Sequence, residues 1–78
     1  MENAVHYCKE KLEDNGFRIT PQRLAVFYCL VESDSHPSAE AVYQEVRKQF
    51  PNISFDTVNR TLLCLSEKGL IKMVESSH

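Results

Sequence analysis

The chain contains no tryptophan, only two glycines and only three prolines in 78 residues. A glycine-rich phosphate loop, a collagen-like repeat and a flexible linker are therefore all excluded. No apolar run approaches the roughly 18 to 20 residues of a membrane-spanning helix. The opening segment, Met-Glu-Asn-Ala-Val-His-Tyr-Cys-Lys-Glu-Lys-Leu-Glu-Asp, lacks the apolar stretch of a secretory signal. Cys8, Cys29 and Cys64 are odd in number, widely spaced and without a C-x-x-C pair, which argues against a disulfide framework or a local zinc knuckle. A cytoplasmic, reducing setting is the expectation, with no membrane partner.

A chain of this length forms one domain, expected over residues 1–78, with a radius of gyration of ~11 to 12 Å and little space for an enclosed active site. No nucleophile–base pair or pair of convergent carboxylates can be assembled from the sequence. Catalysis and a small-molecule substrate are accordingly not expected.

Charge gives little encouragement to a polyanion partner, because nine Lys and Arg face eleven Asp and Glu, for a net charge of −2. Any anion-binding surface must then be local. One segment qualifies: Gly16 to Val31 carries Arg18 and Arg23 and no acidic residue.

What the chain does have is helical periodicity with clear punctuation. Val5, Cys8 and Leu12 recur on one stripe of a first helix, about Asn3 to Asp14, which Asn15-Gly16 ends. Thr20-Pro21 opens a second, since threonine caps free amides and proline at the first position loses no hydrogen bond. From Leu24 to Val31 this helix is apolar nearly all round, as the hub of a core would be. Ser38 and Glu40 begin a third helix running to about Gln49, with Ala39, Val42, Tyr43 and Val46 on its buried face. Pro51 interrupts it. Ser54 then caps a fourth helix, residues 54–68, which Lys68 and Gly69 close. On its wheel Phe55, Val58, Leu62 and Leu65 share one face, while Asp56, Asn59, Arg60 and Glu67 fall toward the other, which is expected to face outward. Residues 70–76 read as a short strand.

Three consecutive helices, the last amphipathic with a polar N-terminal half, followed by a strand, are the parts of a mainly α winged helix-turn-helix. An N-terminal helix over residues 1–15 precedes the 20–68 core, and residues 70–76 would form a partial wing. The fourth helix is the expected reading helix. Asn59 is suited to adenine, Arg60 to guanine or a phosphate, and Thr57 to the backbone or a thymine methyl. Arg18 and Arg23 flank the start of the second helix, where the dipole disfavours cations and phosphates would relieve the mismatch. The alternative is a winged helix used for protein–protein contact, favoured by the net acidity and by the apolar Leu63.

The sequence Gly16-Phe17-Arg18-Ile19-Thr20-Pro21-Gln22-Arg23, then His36-Pro37-Ser38-Ala39-Glu40 with Tyr43, then Phe50-Pro51-Asn52-Ile53-Ser54 and Thr57-Val58-Asn59-Arg60-Thr61-Leu62, resembles the N-terminal DNA-binding domain of the ferric uptake regulator family. The resemblance runs from about Leu12 to Val74. It implies a bacterial metal- or peroxide-responsive repressor that binds palindromic double-stranded operators as a homodimer. By position, Arg18 matches the family's minor-groove cation, and Asn59 and Arg60 match its major-groove readers. Gln22, Arg23, Tyr43, Ser54 and Thr57 fall at phosphate or supporting contacts. His36 matches a ligand of the regulatory metal.

The remaining ligands, and the family's zinc-binding C-x-x-C pairs, belong to a downstream dimerisation domain that these 78 residues do not include. The resemblance thus implies iron, manganese or zinc as regulatory metal and a structural zinc in the intact protein, and no cofactor in this stretch by itself. Cys8 and Cys29 are expected as small packed hydrophobes, with Cys64 off the main apolar face.

The family usually carries tyrosine where this chain has Asn59. A tyrosine ring packs on thymine methyls, whereas an asparagine amide pairs with adenine. Asn59→Tyr should therefore move the preferred half-site toward thymine, read by selection from a randomised duplex pool. An unchanged motif would remove Asn59 from the base-reading set.

Overall fold

The structure, a computed structural model, describes residues 3–33 and 37–71. Four helices follow in order: α1 (Asn3–Asp14), α2 (Pro21–Glu32), α3 (Ala39–Val46) and α4 (Phe55–Glu67). Their starts share one local device. Thr20, Ser38 and Ser54 hold extended backbone angles, and their side-chain oxygens each accept a hydrogen bond of 3.1 Å, from the amides of Arg23, Ala41 and Thr57 respectively. Each bond satisfies a first-turn donor that the helix itself cannot. Pro21 takes the first position of α2, where its missing N–H costs nothing.

Two of the ends are equally explicit. Gly16 and Gly69 adopt φ of +83° and +76°. Gly16 N donates to Glu13 O at 3.0 Å and Phe17 N to Leu12 O at 2.9 Å; Gly69 N donates to Ser66 O at 2.9 Å and Leu70 N to Leu65 O at 3.0 Å. This paired pattern is the Schellman stop, in which the left-handed residue must tolerate positive φ, so glycine is favoured.

The core takes Cys8 and Leu12 from α1, Val26 and Phe27 from α2, Val42 and Val46 from α3, and Val58, Leu62 and Leu65 from α4, with Ile53 from the preceding connection. No polar or charged side chain is buried among the described residues. Helix α2 packs on each of the other three, α4 also packs on α3, and α1 leans on α2 alone. The hub expected from the apolar run Leu24 to Val31 is therefore present. The radius of gyration is 11.8 Å.

Four local expectations are modified. Helix α3 ends at Val46, not near Gln49. Residues 47–49 continue as hydrogen-bonded turns, Lys48 N to Glu45 O at 3.3 Å and Gln49 N to Val46 O at 3.0 Å, a tightening to i−3 partners that prepares the break before Pro51. Phe55 is 41% exposed rather than buried with its wheel-mates. It is the first residue of α4 and stands at the margin of the apolar stripe, about 60° around the helix from Val58, where its ring meets Tyr43 edge-to-face. Val5 of the expected α1 stripe is likewise partly open to solvent, and so are Tyr28 and Val31, which means that α2 is not covered all round. Of the expected strand, Leu70 and Ile71 form bends and pack against the core, and residues 72–76 lie outside the described residues.

Leu62→Ala should cost about 2–5 kcal/mol, because the site is closed on all sides and a cavity would remain. Leu63→Ala, one residue on and turned about 100° toward solvent, where the side chain is 49% exposed, should stay within about 0.5 kcal/mol of wild type. Denaturant unfolding of the two variants checks both, and similar losses would mean that the rotation of α4 is misassigned.

Candidate nucleic-acid interface

With Val58, Leu62 and Leu65 turned inward, the 100° advance per residue sends Asp56, Arg60, Leu63 and Glu67 outward. All four are exposed. Arg60 and Asp56 stand one turn apart and form an ion pair, Nε to Oδ2 at 3.2 Å. Leu63 is 49% exposed on the same face.

One flank of α4 meets the start of α2. Arg23, Thr57, Arg60, Thr61 and Cys64 line an open groove of about 280 Å³. Arg23 comes to it restrained: its Nη1 donates to the Arg18 carbonyl at 2.7 Å, and its guanidinium lies 5.5 Å from the centre of the Phe17 ring. A cation in the first turn of a helix opposes the macrodipole. The carbonyl and the ring face offset that penalty and hold the guanidinium in one orientation. At the head of α4, Ser54 Oγ donates to Thr57 Oγ1 at 3.0 Å, and Thr61 Oγ1 donates to the Thr57 carbonyl at 2.9 Å. The Thr57 hydroxyl thus accepts from Ser54 and keeps its own proton for an oxygen acceptor in the groove.

The opposite flank is built differently. Asn59 lies 100° around the helix from Arg60 and is half-buried. Phe55, one turn earlier on the same side, meets the half-buried Tyr43 edge-to-face at 5.7 Å. Arg47 lies over the other aromatic partner of that pair, 5.7 Å from the Tyr43 ring centre. The sequence reading overlooked Arg47. Its signal was the Tyr43-x-x-x-Arg47 spacing, which puts the two side chains on one helical face.

The structure therefore joins Arg23, Thr57 and Arg60 in one groove, with Ser54 bonded to Thr57, and sets Asn59 and Tyr43 on the other side of α4. Arg18 and Gln22 are exposed near the start of α2 but do not line the groove. His36 lies outside the described residues. Among the described residues no three His, Cys, Asp or Glu side chains converge into a group able to hold a metal ion, and no helix is long and apolar enough to cross a membrane.

The cysteines divide by environment. Burial, and then the nearby Glu32 carboxylate, pushes the Cys8 thiol above its ordinary range; burial and Glu45 do the same to Cys29. Cys64 is exposed at the groove.

A model of the ferric uptake regulator family matches residues 14–78. The chain is 44% identical over 72 residues to the peroxide operon regulator of Bacillus subtilis (strain 168), which covers 88% of this chain and 50% of that protein. It is 43% identical over 75 residues to the peroxide-responsive repressor PerR of Staphylococcus saprophyticus, covering 92% and 51%. Among solved structures, PerR from Streptococcus pyogenes, described in connection with peroxide sensing and gene regulation, superposes with a TM-score of 0.80 at 32% identity over 96% of this chain and 51% of that one. A manganese uptake regulator superposes with a TM-score of 0.77 at 28% identity, over 91% and 61%. The chain spans about half the length of the curated relatives it matches.

Thiol reactivity should follow the placement of the three cysteines. In the native chain Cys64 should alkylate first, Cys29 more slowly, and Cys8 only at the rate of unfolding, since a protonated, enclosed thiol is neither nucleophilic nor accessible. Mass mapping of partially alkylated chain measures the order. Early modification of Cys8 would contradict the packing of α1 on α2.

Proposed function

The chain belongs to the ferric uptake regulator family, and from that membership we propose that it binds operator DNA sequence-specifically, as the DNA-binding half of a metal- or peroxide-responsive transcriptional repressor. Its helices superpose on winged-helix members of that family. The observation that carries the reading is the groove: Arg23 from the start of α2 and Thr57 and Arg60 from α4 share it, so phosphate and base contacts fall within reach of one duplex.

In the proposed docking, the N-terminal half of α4 enters the major groove. Arg60 pairs with guanine O6 and N7, and Asn59 reaches adenine from its flank. Arg23, Gln22, Ser54 and Thr57 meet phosphate oxygens, Tyr43 supports the opposite rail, and Arg18 extends toward the minor groove. Arg47, held over Tyr43, adds a cation on that opposite side, so α4 is bracketed by a restrained arginine on each flank. This local arrangement is how a chain of net charge −2 presents a positive surface to a polyanion. No catalytic step belongs to the proposal.

For the intact protein we carry over from the family a homodimer on two half-sites, a regulatory iron, manganese or zinc ion with His36 among its ligands, and a structural zinc. Metal chemistry supplies no step in the DNA contacts described above. The protein–protein alternative draws on one observation, the exposed Leu63 at the edge of the outward face.

Duplex titrations across a salt series test the reading. Arg60→Ala should cost on the order of 1–3 kcal/mol on the preferred sequence and relax the choice of base, while Arg23→Ala should weaken all sequences alike and reduce the slope of log K against log salt by about one. Equal, sequence-independent losses would mean that Arg60 is not a reader. A wild-type chain that binds duplexes with no salt slope would replace the DNA reading with the protein-contact one.

A further inference from the structure

Asp56 is out of place on a surface meant for DNA. It is 73% exposed on the outward face of α4, in the half of the helix that would approach the phosphates most closely. The amide of Thr57 is already capped by Ser54, and as the acidic residue of the first turn Asp56 adds a favourable but modest interaction with the helix dipole. Its partner is Arg60, itself 75% exposed, and an ion pair so open to water contributes little to folding. The dipole accounts for an acid anywhere in this turn, but it does not account for one placed four residues before Arg60 with its Oδ2 3.2 Å from the guanidinium Nε, and that contact acts on what Arg60 can reach.

The two arginines at the groove are held by different chemistry. Arg23 is fixed by a carbonyl and a ring face, neither of which carries a formal negative charge, so its full positive charge remains for phosphate. Arg60 is held at Nε by a carboxylate. A guanidinium held at Nε still carries its two terminal amino groups, and these are the pair that guanine O6 and N7 accept from in the bidentate contact. Free, the long side chain samples many rotamers and can swing to any phosphate. Paired with Asp56, it is aimed along the outward face.

We infer that Asp56 is a specificity-determining residue of this interface, acting through Arg60: it orients the guanidinium for a base edge and opposes capture of that arginine by phosphate. The inference rests on the proposed DNA reading and adds a discriminating element to it. Specificity is a difference between affinities, and a fixed repulsive charge that penalises the wrong partner more than the right one widens that difference. On a sequence that offers guanine to Arg60, the bidentate bond compensates for bringing the carboxylate close. On a sequence that does not, the carboxylate competes with phosphate for the same guanidinium and repels the rail.

The test uses the full chain and its Asp56→Asn variant, which keeps the side-chain size and removes the charge. Wild type is first used to enrich a duplex from a randomised pool. Binding of both proteins to the enriched duplex and to the unselected pool is then measured at one salt concentration, with thermal unfolding confirming that both are folded. Asp56→Asn should bind the pool several-fold more tightly, hold the enriched duplex no better than wild type, and so lose at least the same several-fold in the ratio of the two affinities. In an Arg60→Ala background the same substitution should leave that ratio unchanged. An unchanged ratio in the first case, or an equal fall in both backgrounds, would overturn the role assigned to Asp56. A wild-type chain that enriches no sequence would bring down the DNA reading itself and this inference with it, whereas wild-type enrichment with an unaffected Asp56→Asn ratio removes only the latter.

Discussion

Val58, Leu62 and Leu65 are withdrawn from water against α2 and α3, and their burial sets the rotation of α4 about its own axis. Each is a side chain whose transfer out of water stabilises by about 1.5–3 kcal/mol, far more than any exposed contact on the opposite side. With those three positions fixed, helical geometry leaves no choice about which residues face outward. The same α2 that supplies Val26 and Phe27 to the core carries Arg23 in its first turn. Core packing and the composition of the groove are for that reason one geometry, and a change that loosened the first would displace the second.

Within that geometry the cations are graded by their restraints. Arg23 is tethered to a carbonyl and an aromatic face, Arg47 lies over an aromatic ring, and Arg60 is paired with an acid. Aromatic faces and carbonyls orient a guanidinium without cancelling its charge, whereas a carboxylate does both. The flanks and the centre of the α4 surface thus differ in electrostatic character even though each displays the same residue type.

Much of this was readable from residue types, because capping is local chemistry. Thr20-Pro21, Ser38 and Ser54 announce helix starts, and Gly16 and Gly69 announce stops, through bonds made within a few residues. The amphipathic wheel of α4 identified Val58, Leu62 and Leu65 correctly for a similar reason. Phe55 shows where the wheel fails: it lies at the margin of the apolar stripe, about 60° from Val58, and a wheel does not say how wide a strip the neighbouring helices cover, so Phe55 is left 41% exposed. The early end of α3 depends on how the chain turns toward Pro51, which a periodicity count does not register. The convergence of Arg23 with Thr57 and Arg60 is a product of the α2–α4 packing, and the support from Phe17 and the Arg18 carbonyl needs a turn geometry that spacing alone does not specify. Arg47 was missed because its partner, Tyr43, was read only as a buried or supporting residue.

The Ser54 cap, the Gly69 stop and the three inward aliphatic side chains hold α4 with little help from its exposed positions. Arg60 and Leu63 consequently carry little folding duty, and Asp56 adds only the modest dipole interaction of a first-turn acid, so exchanges at these positions leave the scaffold within about 1 kcal/mol of where it began. A gene copy freed by duplication can therefore drift through many surfaces at these sites while every intermediate still folds, so descendants of one scaffold can diverge in what they recognise without first being rebuilt.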